Sequence, residues 1–387
     1  MYSMLTFLKE YGLYVFLAFC LLASSTPLVP HGIVFYLLGI LYCFIFAINN
    51  NGTLVTNVNL FWLFLASCYI ASLINTTFDY RLFIFTFVII TYSPILYSQK
   101  ISLFREKFLR TSLYAFPLIS IICLYCYFKG INLMSPEDGD VSWDFSAIFP
   151  HPLWLGAAVG ISNIVCLWRI LNEKCRKLQI IWTFVLLQSV FLTVVSASRS
   201  ALGASFVAMF LLILCTIRNM GKFFKYLIVI SLLVALAFPV YYDNSTRMQS
   251  KIEKSEGVYG SRTGIYTEGL KQFQEQPIFG CGFAVSYRDG HRVVGKLESG
   301  SGWLSILFQM GLCGFVVMFL ILKNVIKRVG NIRNDKNLQF YFFPFLFLCL
   351  HSFFEGYLLT TGYYLCLLFW SLLSYLYTYD ADISTLD

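Results

Sequence analysis

Long apolar runs separated by short polar connections make up the pattern along most of the chain. A run of about twenty apolar residues is long enough to cross the hydrocarbon core of a bilayer. The N-terminal run leads directly into further spans and lacks a small-residue cleavage site, so we interpret it as a first span and not as a signal peptide. The pattern predicts twelve transmembrane helices, near residues 12–29, 32–48, 58–75, 82–98, 111–128, 151–168, 178–196, 200–217, 224–242, 303–322, 338–354 and 357–377.

Composition agrees with this pattern, since 58% of the 387 residues are hydrophobic and only 12% are charged. A soluble protein of this length carries roughly 25% charged residues. Because so few charges cannot cover a water-facing surface, we predict an all-α integral membrane protein with one membrane domain. In this interpretation nine spans occupy 1–242, a large outer loop occupies 243–302, and three spans occupy 303–387.

The charges of the connections predict the orientation of the spans. Lysine and arginine concentrate in four connections that share one side if twelve spans alternate: 99–110, 169–177, 218–225 and 323–336. By the positive-inside rule this side is the cytoplasm, and both termini share it. The net charge of +8 therefore indicates cytoplasmic anchoring, and we find no basic arm suited to nucleic acid. The outer loop 243–302 lies on the opposite side.

Arg199 is the only charged residue in the apolar run from Leu178 to Ile217. The run is long enough for two helices joined by a turn, and Arg199 stands at the turn, on the outer side. One interpretation is an interfacial anchor, although such anchors favour the cytoplasmic side. The other is an anion ligand, and this is favoured because small residues nearby leave room for a ligand or a neighbouring helix: Ser196, Ser198, Ser200, Gly203 and Ala204.

The outer loop offers a second arginine, within VYGSRTGIYTEGLKQFQEQPIFGCGF (258–283). We predict an amphipathic helix ended by Pro277, because apolar residues recur at helical spacing at Tyr266, Leu270 and Phe273. Arg262 stands at its start, where free backbone N–H groups favour an anion. The Arg262 guanidinium either binds phosphate oxygens as a fork or pairs with headgroups or Glu268, and the spacing does not separate the two interpretations.

Three segments in this order resemble the O-antigen ligase/polymerase superfamily. They are SASRSALGA (196–204), GSRTGIYTEGLKQFQEQPIFGCGF (260–283) and GWLSILFQMGLCG (302–314). In that family a Ser-Arg motif closes one span. A long periplasmic loop then carries an arginine, an amphipathic helix and a Pro-x-x-Gly-x-Gly turn, and the next span opens with G-x-x-G. The resemblance implies a bundle of about twelve helices similar to GT-C glycosyltransferases, in a bacterial inner membrane, with a periplasmic active site.

One position helps to separate the two branches of the superfamily. Ligases typically carry a His eleven residues before the first Gly of the G-x-x-G, and counting back from Gly311 reaches Gly300. His291, nine residues further upstream, substitutes for it only by a different loop path. The chain therefore looks more like a Wzy-type polymerase, with a ligase acting on lipid A core as the alternative.

The resemblance implies a metal-independent glycosyltransferase without a cofactor, acting on undecaprenyl-pyrophosphate-linked oligosaccharides as donor and acceptor. Membrane lipid and a chain-length regulator are its further expected partners. Arg199 and Arg262 are expected to bind the pyrophosphate and to stabilise its charge in the transition state. Glu298 is the first candidate for the proton acceptor and His291 the second, while a solvated loop carboxylate is the alternative for Glu298. Further substrate contacts are expected from Tyr266, Arg288, Arg292 and Asp140.

A transporter of lipid-linked sugars is a third interpretation. Ion-coupled transporters usually place paired carboxylates at membrane depth, whereas the predicted spans hold almost no ionisable residues. His351 and Glu355 lie near an outer end. A long outer loop with its own helix also exceeds what a transporter needs, so the pattern favours an enzyme.

Overall fold

The structure, a computed structural model, describes the chain except residues 1, 51, 56–57, 135–144, 289–290, 296–299 and 380–387, and 218–261 apart from 221, 224, 228 and 232. Its helices are α1 (Tyr2–Ala23), α2 (Gly32–Asn49), α3 (Asn59–Ile74), α4 (Tyr80–Tyr92), α5 (Gln99–Lys129), α6 (Pro152–Asn172), α7 (Arg176–Val195), α8 (Arg199–Thr216), α9 (Arg262–Glu275), α10 (Gly302–Arg328), α11 (Lys336–His351) and α12 (Tyr364–Thr378). Four strands accompany them: β1 (Thr53–Leu54), β2 (Leu96–Tyr97), β3 (Val285–Arg288) and β4 (His291–Val294). A 3₁₀ helix covers Val329–Asn331.

Eleven of the twelve predicted spans overlap helices of the structure, and the twelfth, 224–242, falls almost wholly outside the described residues. Within the described part of the chain, six helices are long and apolar enough to cross a membrane, namely α2, α5, α6, α7, α8 and α10. The chain is thus a mostly helical, multi-pass membrane protein. The full count of twelve spans stays a prediction.

The predicted all-α fold is confirmed as a mostly helical one, and two small antiparallel sheets accompany the helices. β1 pairs with β2, and β3 pairs with β4. Strands of two to four residues are too short to show the alternating pattern that identifies a strand in a sequence. The predicted connection 99–110 also differs, since it forms the first turns of α5, a helix of 31 residues.

The chain forms two compact units, each built from segments that are distant in sequence. The first consists of Met1–Gly32, Arg110–Val258 and Asn331–His351. Its centre is α6, which is buried along nearly its whole length and packs against α7, α8 and α11. Gly156 and Gly160 permit close approach, because a β-carbon at either position would collide with a neighbouring side chain.

The second unit consists of Ile33–Leu109, Tyr259–Gly330 and Ser352–Asp387. Helix α10 packs against α3 and α12, and aromatic rings fill the interior. Trp370 of α12 lies 5.2 Å from Phe64 and 5.6 Å from Phe85, measured between ring centroids. Arg105, from a connection predicted to face the cytoplasm, is buried instead and donates hydrogen bonds to the backbone oxygens of Thr91 and Leu96.

Candidate functional site

Helix α10 is broken at Gly311, where φ is 64° and ψ is −163°. A break of this kind frees backbone groups that a continuous helix would bond internally. Here these groups form hydrogen bonds with the turn at 277–283, which follows α9 in the outer loop. The N–H groups of Cys281 and Gly282 donate to the oxygens of Phe308 and Gln309, and those of Leu312 and Cys313 donate to Pro277 and Ile278, over 2.9 to 3.1 Å.

Glycine is required at three positions of this junction. Gly280, Gly282 and Gly311 have φ values of 70°, 107° and 64°, in a region that side chains rarely adopt. A β-carbon at Gly282 would collide with Thr77, and one at Gly311 would collide with the backbone of Ile278. The predicted Pro-x-x-Gly-x-Gly turn and the G-x-x-G are therefore two halves of one junction.

The end of α3 holds the same turn from another side. The Nδ2 group of Asn75 donates to the oxygens of Ala71 and Gly280, each over 2.8 Å. The Oγ of Ser72 accepts a hydrogen bond from the Phe283 N–H at 3.1 Å. Asn75 and Ser72 are both buried. The outer-loop turn is thereby fixed to two helices of its own unit.

Arg199 is the first residue of α8 and is exposed, as expected for a turn between two spans. The turn before it is strained, because Ala197 has a φ of 53°. Ser198 caps α8 by accepting a hydrogen bond from the Ala201 N–H, and its side chain packs against Gly156 of α6. At Ser198, the small side chain thus accommodates a neighbouring helix. The Arg199 guanidinium makes no hydrogen bond or ion pair to any residue that the structure describes.

The predicted amphipathic helix is present as α9, with Arg262 as its first residue and Glu275 as its last. Its packing inside the protein involves the side of the helix around Gly269. Gly269 lies against the ring of Phe308, and Gln272 is 4% exposed, whereas Leu270 is 49% exposed. The glycine lets the helix backbone approach α10, so that α9 packs against it on its Gly269 side and leaves Leu270 exposed.

Three further candidates lie on the β3–β4 hairpin, which the sequence did not reveal. The backbone of Arg288 pairs with that of His291, and Tyr287 pairs with Arg292. His291 is exposed. Strand β3 packs against α9, so the hairpin belongs to the same unit as Arg262.

Residues 183–319 match the family model described as O-Antigen ligase. The matched segment covers most of α7 and α10 and everything between them, including Arg199, Arg262 and Gly311. The resemblance to the O-antigen ligase/polymerase superfamily is thereby confirmed. No curated protein sequence is similar enough to the chain to be matched to it.

Members of the O-antigen ligase family are membrane enzymes of glycosyltransferase type, and the family covers both ligases and polymerases. Within this chain the family segment extends across both compact units. Arg199 lies in the first unit, while Arg262, Tyr266 and His291 lie in the second. Glu298 and Asp140 fall outside the described residues. Among the residues that are described, no three His, Cys, Asp or Glu side chains are grouped as a metal site requires.

The place where O-antigen ligases carry their His is the start of α10. Ser301 caps this helix by accepting a hydrogen bond from the Leu304 N–H, and Gly300 accepts one from the Tyr266 hydroxyl at 3.3 Å. The Gly302 N–H donates to the backbone oxygen of Glu355 at 2.9 Å. This contact places the backbone of the half-buried Glu355 at the start of α10, two residues after the position of the absent His.

Glu355 was not among the residues predicted for the site. Its sequence signal was weak, a single carboxylate near the outer end of a span. The hydrogen bond that places it joins Gly302 to a residue more than fifty positions away in sequence, and no local spacing predicts such a contact.

Proposed function

We propose that the protein is a polysaccharide polymerase of the bacterial inner membrane. It transfers the growing glycan from undecaprenyl pyrophosphate to a hydroxyl of a new lipid-linked repeat unit at the periplasmic face. The match of residues 183–319 to the O-Antigen ligase family carries the proposal, because that segment contains both Arg199 and Arg262. The predicted orientation, with the loop 243–302 outside, supports a periplasmic reaction.

The chemistry explains why arginine is the residue type needed. The acceptor oxygen forms a bond to the anomeric carbon while the bond from that carbon to the pyrophosphate oxygen breaks. The electron pair of the broken bond stays on undecaprenyl pyrophosphate, so negative charge grows on the phosphate oxygens. A guanidinium aimed at them stabilises the transition state more than the ground state. We assign this role to Arg199 and Arg262, and with two guanidinium groups at the phosphates the proposed reaction needs no metal.

The acceptor hydroxyl must also lose a proton as it attacks. We propose that a carboxylate near the start of α10 accepts it. Glu298 lies two residues before Gly300 in sequence, and Glu355 is held beside Gly302 by the backbone hydrogen bond. These two carboxylates are the leading candidates, followed by His291 on the hairpin.

We propose that the remaining candidate residues contact the sugars of the substrate. Because the Tyr266 hydroxyl already donates to Gly300, a sugar is expected to stack on the Tyr266 ring. Arg288 and Arg292 belong to the hairpin beside α9. Asp140 lies in the earlier outer connection, and we propose that it binds sugar hydroxyls.

A ligase is the second candidate function, and the description of the matched family favours it. The two functions differ in the acceptor. The experiment supplies the purified protein in proteoliposomes with undecaprenyl-pyrophosphate-linked repeat units, either alone or together with lipid A core. A polymerase makes multi-repeat glycans on the carrier lipid without any core acceptor. Product that forms only on lipid A core would overturn the polymerase proposal in favour of the ligase.

A further inference from the structure

Arg81 is a further arginine that the predicted topology places on the outer side, and it lies outside the loop 243–302. It lies in the first turn of α4, just after the short connection between the third and fourth predicted spans. That connection shares its side with the loop 243–302. Arginine is depleted in outward connections, so an outward Arg81 calls for a specific role.

The Arg81 side chain lies beside the base of the β3–β4 hairpin. A β-carbon at Gly295, the residue that follows β4, would be 3.6 Å from Nη1 of Arg81 and 3.3 Å from Oδ2 of Asp79. The Gly295 N–H donates to the oxygen of Ala284 at 2.8 Å and closes the hairpin. Gly295 therefore lies within van der Waals reach of both the Arg81 guanidinium and the Asp79 carboxylate.

The surroundings of Arg81 connect it to the proposed substrate contacts. Strand β4 begins at His291 and includes Arg292, and its partner strand β3 packs against α9, which begins at Arg262. All of these elements belong to the second unit. Arg81, at the start of α4, therefore lies beside the hairpin that carries His291 and Arg292.

The guanidinium of Arg81 also has capacity to bind a ligand. It is half-buried, and its central carbon lies 5.6 Å from the centroid of the Tyr80 ring in a cation–π contact. The Arg81 side chain makes no hydrogen bond or ion pair to the described part of the chain. The nearby Asp79 carboxylate instead accepts the Arg81 backbone N–H through Oδ1, at 2.8 Å, and caps α4. Arginine carries five N–H donors in a planar fork that fits phosphate oxygens.

We propose that Arg81 binds the phosphate groups of the lipid-linked substrate next to the β3–β4 hairpin. The identity of that lipid as undecaprenyl pyrophosphate rests on the proposed function. A bulk phospholipid headgroup presents the same phosphate chemistry, and the two sources are separated by the test. Arg81 is a substrate-binding residue in this proposal, additional to Arg199 and Arg262.

The test measures lipid binding to the full-length purified protein in detergent by native mass spectrometry. Undecaprenyl pyrophosphate and phosphatidylglycerol are titrated separately against wild type, Arg81→Ala, Arg81→Gln and Arg81→Lys. Lys129→Ala is the matched control. Lys129 is exposed at the predicted outer end of α5, and it also makes a cation–π contact with a neighbouring ring, that of Tyr125. Variants are compared after their thermal unfolding midpoints have been shown to match wild type.

We expect Arg81→Ala and Arg81→Gln to bind undecaprenyl pyrophosphate roughly tenfold more weakly, the size of one lost charge-assisted contact. Arg81→Lys should retain part of the affinity, and Lys129→Ala should match wild type. Unchanged pyrophosphate binding in a folded Arg81→Ala or Arg81→Gln variant would overturn the proposal, as would a loss confined to phosphatidylglycerol. The assay needs no glycan transfer, so an inactive wild-type protein would contradict the proposed function without deciding the role of Arg81.

Discussion

The backbone oxygen of Gly280 accepts a hydrogen bond from Nδ2 of Asn75 over 2.8 Å, which joins the outer-loop turn to the end of α3. The same amide also bonds the Ala71 oxygen one turn earlier. One buried side chain therefore holds the turn that is inserted into the break of α10. The loop that carries Arg262 is anchored at this junction.

Replacing Asn75 by Ala should lower the stability of the protein. The variant leaves the Gly280 oxygen buried without this donor, which costs about 1–3 kcal/mol. Asn50→Ala is the matched control, since Asn50 makes the same bond to a residue four positions earlier, Phe46, and is only half-buried. Thermal unfolding in detergent should show a clearly larger decrease for Asn75→Ala. Equal decreases would show that the bond to Gly280 does not anchor the turn.

Gly311→Ala should destabilise the protein more than the loss of any single hydrogen bond at the junction. The backbone at Gly311 has a conformation that is essentially restricted to glycine, and a β-carbon there would collide with Ile278. We expect a destabilisation of about 3 kcal/mol or more, together with loss of activity. Gly12→Ala in α1 has open space around it and should be neutral or stabilising by up to about 1 kcal/mol. A Gly311→Ala protein with wild-type stability would show that the break does not depend on glycine.

The strained turn before Arg199 leads to a prediction about Ala197. Its φ of 53° costs an alanine roughly 1–2 kcal/mol relative to ordinary backbone. Ala197→Gly should therefore be at least as stable as wild type, whereas Ala197→Val should be less stable, because a β-branched side chain tolerates this region worst. Unfolding midpoints measured for both variants in the same detergent check the order. The reverse order would contradict the strained turn.

The proton acceptor can be identified by isosteric amide variants. Glu298→Gln or Glu355→Gln should reduce turnover by about 100-fold or more with little change in the apparent affinity for the acceptor, because general-base catalysis contributes that much. Glu275→Gln, at the exposed end of α9, is the control. The measurement is the initial rate of glycan extension in proteoliposomes. If both variants keep the wild-type rate, neither carboxylate takes the proton, and His291→Ala becomes the next variant to measure.

Much of the helical architecture could be predicted, because apolar runs of about twenty residues depend on local composition alone. The predictions of a turn before Arg199 and of a helix that starts at Arg262 were correct for the same reason, since a cap or a helix-ending proline acts within a few residues. The sequence also contained both glycine motifs of the junction. It did not show that they meet at Gly311, because that contact joins a loop to the next helix.

The rest of the candidate site depends on contacts between distant segments. Glu355 reaches the start of α10 through a hydrogen bond to Gly302, and Arg81 reaches the hairpin through Gly295. The hairpin itself was missed because its strands have only four residues each. On α9, the helical spacing did not reveal that Gly269 packs against Phe308 of α10. Tertiary packing decided each of these features.

The central claim is that Arg199 and Arg262 act on the pyrophosphate of the carrier lipid, and the most direct test is polymer synthesis in cells expressing Arg199→Ala or Arg262→Ala at normal levels. Arg176→Ala is the matched control, since Arg176 is also exposed at the first position of a helix but lies on the predicted cytoplasmic side. We predict that each outer variant attaches single repeat units and makes no long-chain polymer, while Arg176→Ala gives wild-type chain lengths. Full-length polymer from either Arg199→Ala or Arg262→Ala would contradict the account.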